Sequence, residues 1–284
     1  MRIGFVSDLH IDFNRQYDFV SVLGQLISDE NLDQLVIMGD SANGLQRNLR
    51  FYQQLAEALP VPFHTLIGNH DLYVDHPRQK SVQQIQSASR TAYRELDRLP
   101  TSLTRHPIET RHWLITGING WYDYTFAKHF CEADGPRYAN NFVAKHVWPD
   151  QLYINGNQIS YRRDRKWVVE QILAWQHQIN RLAVSGKKIL VASHMLPTKK
   201  LAHQLPIPFY DRFMYQLGSD RYRQLFEHNH VSLSLSGHSH MPNAVTENGI
   251  RYRNLSLGYD FQWQNPGDAL GELKRVMFVL EDES

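Results

Sequence analysis

Short apolar runs bounded by polar or glycine-containing clusters recur along the chain, with stretches of helical spacing between them. The first run, Ile3-Gly4-Phe5-Val6, leads into Ser7-Asp8-Leu9-His10. Phe19, Val22, Leu23 and Leu26 then recur on one helix face and predict a helix over about 18–28. Leu35-Val36-Ile37-Met38 runs into Gly39-Asp40, and a second helix over about 45–59 stops at Pro60. A strand over 63–67 ends at Gly68-Asn69-His70-Asp71. Strand, helix, strand, helix, strand in this order predicts an α/β fold with parallel pairing through crossovers.

Further along, helical spacing over 81–99 precedes a strand over 113–117, and another helix over 164–184 is stopped by Gly186. Ile189-Leu190-Val191-Ala192 reads as a buried strand ending at Ser193-His194. A Pro-containing loop (Pro197, Pro206, Pro208) and a short helix over 220–228 lead to a strand over 231–235 and then to Gly237-His238-Ser239-His240. The tail alternates around a Glu247-Asn248-Gly249 turn and predicts a last strand over 273–280. Residues 119–165 fit neither template and carry ten aromatic rings, among them Trp121, Tyr122, Tyr124, Phe126, Phe130, Tyr138, Phe142 and Trp148. No repeat or linker divides the chain, so a single domain over 1–284 is expected, with an aromatic-rich insert or cap at about 119–165. Such a segment is a candidate lid and specificity determinant, while most of its rings are expected to pack it onto the core. His129 and His203 fall in the candidate lid loops.

Composition narrows the classes. With 30 Lys and Arg against 29 Asp and Glu the net charge is +1, and 42% of the 284 residues are hydrophobic. This excludes a basic tail for bulk nucleic-acid binding and an acidic disordered segment. Cys131 is the only cysteine, which excludes an intramolecular disulfide framework and a multi-cysteine zinc site. There is no charged start followed by an apolar signal core, and no apolar stretch reaches the roughly 18 residues of a bilayer span, so a cytoplasmic protein is expected. Histidine is the abundant ligand type, with 15 against one cysteine.

Five predicted strand ends carry a similar payload: Asp8 and His10, Asp40, Asn69 and His70, His194, and His238 with His240. Ligand sites in open α/β sheets lie at the carboxyl ends of strands, so a parallel arrangement brings these clusters to one rim. Seven candidate ligands (Asp8, His10, Asp40, Asn69, His194, His238 and His240) exceed what one four-coordinate ion takes and suit two ions that share a carboxylate. Imidazole and carboxylate without thiolate favour Mn, Fe, Zn or Co over an all-oxygen Ca or Mg cage. Two divalent ions, two carboxylates and one hydroxide leave a cationic site that attracts an anion. Two such metals acidify a shared water and clamp an in-line displacement, the chemistry of phosphoester hydrolysis.

Together these motifs, Asp8-Leu9-His10, Gly39-Asp40, Gly68-Asn69-His70-Asp71, His194 and Gly237-His238-Ser239-His240, resemble those of the calcineurin-like metallophosphoesterases in order and spacing. The resemblance implies a four-layer αββα sandwich of two mixed sheets, refining the simple parallel sheet above. It implies one metal held by Asp8, His10, Asp40 and His240, and a second by Asp40, Asn69, His194 and His238. By the same resemblance Asp40 would bridge and His70 would face the phosphate, with Asn69 beside it in the catalytic motif, and attack by a metal-bridging hydroxide is the expected chemistry. The protein phosphatases of that family read Gly-Asp-x-x-Asp-Arg-Gly in the second motif, whereas this chain has Asn43 and Gly44 at the corresponding positions. An Asn cannot stabilise an imidazolium by charge, which favours His70 as a donor to phosphoryl oxygens over a strong general acid. The missing Arg counts against phosphoproteins and moves small phosphodiesters or nucleotide-like substrates up.

Several neighbouring residues receive plainer roles. Asp71 is read as a structural turn or cap, Asp12 as a loop residue, and Ser193 as a small strand-end residue without a triad pattern. Cys131 has no activating motif, and the charged cluster 162–166 is read as a solvated helix face. Two other functions compete with a phosphohydrolase of small substrates. A nuclease on the same scaffold needs a basic groove, which the charge does not support, so nucleic acid is not favoured as a partner. A non-catalytic interaction scaffold should have lost ligands, and all seven positions are filled. Monoester against diester, and the oligomeric state, stay open.

Overall fold

A computed structural model describes residues 1–127, 148–158, 160–182, 186–203 and 213–282. In chain order its strands are β1 (Arg2–Val6), β2 (Gln34–Met38), β3 (Phe63–Leu66), β4 (Ile108–Glu109) and β5 (Trp113–Ile118). β6 (Lys188–Ser193), β7 (Leu233–Ser236), β8 (Asn243–Glu247), β9 (Ile250–Asn254) and β10 (Phe278–Glu281) follow. The described helices are α1 (Phe19–Asp29), α2 (Leu45–Ala58), α3 (Val82–Asp97), α4 (Pro149–Tyr153), α5 (Tyr161–Arg181), α6 (Asp220–His228) and α7 (Ala269–Val276). None is long and apolar enough to cross a membrane.

The strands form two mixed sheets, ordered β10-β1-β2-β3 and β4-β5-β6-β7-β9-β8. Both have a parallel centre, with antiparallel pairs at β1–β10, β4–β5 and β8–β9. This corrects the single parallel sheet and agrees with the four-layer sandwich. The central strands are buried on both faces, so their apolar runs are continuous, yet period-two geometry still sorts the side chains. Ile3, Phe5, Val36, Met38, Leu190, Ala192, Leu233 and Leu235 form the core between the sheets. Alternate residues Leu35, Ile37, Ile189 and Val191 join the larger core shared with the helices.

The tail departs from expectation. Residues 269–276 are helical, and the last strand starts at Phe278. Asp268 caps the helix by accepting from Gly271 N at 2.8 Å, and Ala269, Leu273 and Val276 bury one helical face. α5 begins a turn earlier than predicted, because the Ser160 side chain caps it by accepting from Arg163 N. In its first turn Asp164 is buried and bonds Trp121 Nε1 and Tyr124 Oη, so the 162–166 cluster is not uniformly solvated. Trp121, Tyr122, Tyr124 and Phe126 are buried core residues. His129, Phe130, Cys131, Tyr138 and Phe142 lie outside the described residues.

β10 ties the layers together at the end away from the site loops. Asp282 accepts from His112 Nδ1 at 2.6 Å and from His112 N at 3.2 Å, linking the smaller sheet to the turn before β5. Burial opposes its charge, but the Thr110 and His112 donors outweigh it and bring its pKa from 3.8 to about 2. A carboxyl group held lower in the folded state stabilises above its unfolded pKa, and that stability is lost as pH falls toward the folded value. Urea unfolding of Asp282→Asn should show a deficit on the order of 1 kcal/mol at neutral pH. The gap from wild type should shrink below pH 3.8 and close near pH 2. A gap unchanged across that range would remove this carboxylate from the acid sensitivity.

Candidate metal centre

The loops following β1, β2, β3, β6 and β7 meet at one rim, and they are laced together by backbone bonds between different strand ends. Asp8 N donates to Gly39 O at 3.1 Å, His10 N to Asp40 O at 3.0 Å, and Gly237 N to His194 O at 2.9 Å. This lacing holds five candidate ligands in the left-handed region: Asp8 (φ 60°), His10 (43°), Asp40 (53°), His238 (75°) and His240 (53°). Non-glycine residues there carry strain that surrounding structure must over-determine, and such strain clusters at functional sites.

Asp71 is one of the staples. Its carboxylate accepts from Asp40 N, Ser41 N and Gly68 N at 3.0, 3.0 and 2.7 Å, fastening the loop after β2 to the loop after β3. This is the structural role read from its sequence position. Asp12 accepts from Asn43 N at 3.3 Å, and Ser193 Oγ donates to Met195 O at 2.9 Å, both local roles. His203 Nε2 lies 3.5 Å from Pro242 O.

All seven sequence-predicted ligand positions converge. Asp8, His10 and His240 form one group of donor atoms, and Asp40, His194 and His238 a second; Asp40 also groups with His10 and His70. His10 Nε2 lies 2.9 Å from His240 Nε2 and 3.8 Å from Asp40 Oδ2, while His240 Nε2 is 3.5 Å from Asp8 Oδ1. On the other side, His194 Nε2 lies 3.1 Å from Asn69 Oδ1 and 3.4 Å from Asp40 Oδ2.

The donor set fits cations because outer partners point lone pairs inward. Met38 O can only accept, so His194 carries its hydrogen on Nδ1, 3.0 Å away, and turns Nε2 toward the oxygens of Asn69 and Asp40. Gln216 O fixes His238 through Nε2 at 3.1 Å, leaving Nδ1 for the site. Gln262 Oε1 accepts from His240 Nδ1 at 3.0 Å and from Tyr259 N at 2.8 Å. Asp40 Oδ2, which lies between His10 Nε2 and His194 Nε2, is buried without a hydrogen-bond partner. Lone pairs facing one another in a dry site need positive charge between them.

The charges of the chain's own groups reflect that need. Burial opposes protonation of His194, but Asp40 and Asp8 outweigh it and carry its pKa up to about 10, so a proton supplies the missing charge. His238, beside it, is pushed down to about 3 by burial and by His194. Burial also opposes ionisation of Asp8, yet His240 and His194 hold its carboxyl well below the usual range.

His70 sits at the open side of this cluster. Its backbone N donates to Asp40 Oδ1 at 2.8 Å, its ring packs on Tyr73 at 4.3 Å, and Nδ1 is 2.7 Å from Asn43 Oδ1. Asn43 therefore does contact this imidazole, as a neutral acceptor in place of a carboxylate.

Asp150 is a residue that the sequence reading missed. It is buried on α4 and accepts from Asn69 Nδ2 at 2.8 Å, Tyr73 Oη at 2.7 Å and Trp148 Nε1 at 2.8 Å. Pro149 at the first helical position suits a helix start, but nothing in that pattern says that the carboxylate after it turns inward.

Fold and site together define a metal-dependent phosphoesterase. The chain belongs to the calcineurin-like phosphoesterase family, whose model matches residues 1–242, and is a hydrolase acting on phosphoester bonds. A crystal structure of phosphopantetheinyl hydrolase from Mycobacterium tuberculosis is similar in fold, with TM-score 0.65 and 20% identity over 92% of this chain and 91% of that one. A dimetal phosphatase from Danio rerio aligns with TM-score 0.44 and 13% identity over 90% of this chain and 87% of that one. A purple acid phosphatase from yellow lupin aligns with TM-score 0.43 and 10% identity over 89% of this chain and 43% of that one. No curated protein sequence matches the chain significantly.

Proposed function

We propose that the chain hydrolyses a small phosphodiester or phosphoester bearing a flat, nucleotide-like group, by direct attack of water and without a covalent protein intermediate. Asp8, His10, Asp40 and His240 would hold one metal ion and Asp40, Asn69, His194 and His238 the other, with Asp40 shared. Bound there, the ions supply Lewis acidity toward phosphoryl oxygens and bring the pKa of a water toward neutrality. Met38 O, Gln216 O and Gln262 Oε1 keep three imidazoles in the metal-accepting tautomer.

His70 binds the phosphoryl group. With Nδ1–H donated to Asn43 Oδ1, the neutral ring presents a lone pair at Nε2 and donates from that atom only when protonated. Burial pushes its pKa down. A phosphoester anion beside it favours the protonated ring, whose Nε2–H would donate to the phosphoryl oxygens.

The observation that carries the substrate reading is a wall of rings along this edge. Phe13 is 50% and Phe261 76% exposed, an unusual state for two large rings side by side. Between them stands Tyr259, with ring centroids 4.9 Å from Phe13, 5.5 Å from Phe261, 4.8 Å from His10 and 4.7 Å from His240. Because the wall contacts the rings of His10 and His240, it suits a planar substituent of the ester itself.

The test is a panel with Mn supplied: aryl and methyl phosphodiesters, nucleotides, cyclic nucleotides and a phosphopantetheinyl ester, the last because of the name of the Mycobacterium tuberculosis fold neighbour. Aryl or nucleoside esters should lead, and the double variant Phe13→Ala, Phe261→Ala should lower their kcat/KM about tenfold. Methyl esters should change less than about twofold. An equal loss on both, or a preference for the phosphopantetheinyl arm, would reject the planar group while leaving the phosphohydrolase standing.

A further inference from the structure

We propose that Asp150 is a positioning residue for the metal centre: it fixes the amide of Asn69 so that the carbonyl oxygen, and never the amide nitrogen, faces His194 and would meet an ion bound there. The inference rests on the reading of Asn69 as a ligand. An asparagine side chain has nearly equal ends in shape and opposite ends in chemistry, and only its oxygen can bind a cation. The two ends of Asn69 are tied to different neighbours. Nδ2 lies 2.8 Å from Asp150 Oδ1 and 3.3 Å from Tyr73 Oη, while Oδ1 lies 3.1 Å from His194 Nε2. Rotating the amide by half a turn would set its oxygen against a buried carboxylate and aim its N–H groups at the metal position. Both contacts become repulsive in a site from which water is excluded.

Asp150 is itself immobilised. Tyr73 shares its Oδ1, and Trp148 Nε1 occupies Oδ2 at 2.8 Å. Tyr73 is stacked on Tyr153 at 4.8 Å, and Val74 N donates to Tyr153 O at 3.1 Å, so α4 is bound to the loop after β3 by backbone and rings as well. The aromatic-rich stretch between β5 and α5 thus contributes to the metal centre through this carboxylate, a role distinct from covering the substrate. The arrangement makes one of two ions depend on Asp150. Among the described residues its side chain bonds Asn69, Tyr73 and Trp148, and no hydrogen bond runs from it to Asp8, His10 or His240.

The deciding experiment counts Mn per chain by elemental analysis across a range of free Mn, for wild type, Asn69→Ala, Asp150→Ala and the double variant, each with its fold checked by circular dichroism. Asp150→Ala should weaken one ion about 10–100-fold and leave the other at wild-type affinity. The double variant should lose no more than Asn69→Ala alone, because both changes act through the same oxygen. Where Asp150→Ala does not fold, the near-isosteric Asp150→Leu takes its place with the same expected direction, since it removes the oxygen that accepts from Asn69 Nδ2, which an amide at this position could keep. Wild-type affinity for both ions in a folded Asp150 variant, or losses that add in the double variant, would overturn the positioning role. Wild-type affinity in Asn69→Ala would instead overturn the ligand reading, and the positioning role with it.

Discussion

Asp40→Asn leaves the fold in place and removes turnover, by about a thousandfold or more, together with the thermal stabilisation that Mn gives the wild type. The substitution keeps the oxygen that accepts from His70 N at 2.8 Å, so the loops after β2 and β3 retain their bond. What it changes is the charge and the second oxygen, Oδ2, which lies buried between His10 Nε2 at 3.8 Å and His194 Nε2 at 3.4 Å. A neutral amide cannot hold two cations at that position, and a thousandfold loss corresponds to about 4 kcal/mol of transition-state stabilisation. Metal binding at a hundred times its dissociation constant stabilises the folded state by about 2.7 kcal/mol, a shift of roughly 5–10 °C in a chain of this size. Wild-type protein should lose that shift on chelation and regain it on adding Mn. Asp40→Asn should melt near the chelated wild type under both conditions. A variant that keeps both the shift and the turnover would show that Asp40 is not the shared ligand.

The residues that gather at this rim were legible in the sequence because each follows an apolar run, and the parallel strands of both sheets deliver their carboxyl ends to one side. Asp8, His10, Asp40, Asn69, His70, His194, His238 and His240 could be found this way without coordinates. The partners that orient them could not. Met38 and Gln216 act through backbone carbonyls, which carry no side-chain signature, and Gln262 and Asp150 are single polar residues in stretches without a motif. The two-sheet layering came from family resemblance, since continuous apolar runs such as Ile189 to Ala192 say that a strand is buried without saying which sheet it joins. The tail was misread for a related reason. Leu273, Val276 and Met277 suit a strand as readily as a helix, and the deciding residue is the cap at Asp268. Among the aromatic residues, Trp121, Tyr122 and Tyr124 went to the core as packing alone predicts, whereas the exposed pair Phe13 and Phe261 lay outside the segment singled out for its rings.

Gly68→Ala is expected to disable the metal centre although it alters no polar group. Asp71 draws the loop after β2 onto the loop after β3 through three backbone N–H groups, and the approach is so close that a methyl group on Gly68 has no room. Its Cβ would overlap the Asp40 carboxylate and stand 2.6 Å from Asp40 N and 2.7 Å from Asp40 Cγ. Backbone cannot retreat there as a flexible side chain could, so either the Asp71 staple opens or Asp40 turns away. Overpacking of this kind costs about 1–3 kcal/mol of stability. The larger consequence concerns the metals. Because Asp40 belongs to both donor groups, its displacement should weaken both ions together, whereas Asp150→Ala should weaken one. Mn titration followed by elemental analysis distinguishes these patterns in folded protein at a temperature well below the variant's Tm. Loss of both ions with turnover reduced at least about a hundredfold is the expected result. Binding of both ions at wild-type affinity would mean that the loops can part by the width of a methyl group without moving the shared carboxylate, and that the tight approach at Gly68 serves folding alone.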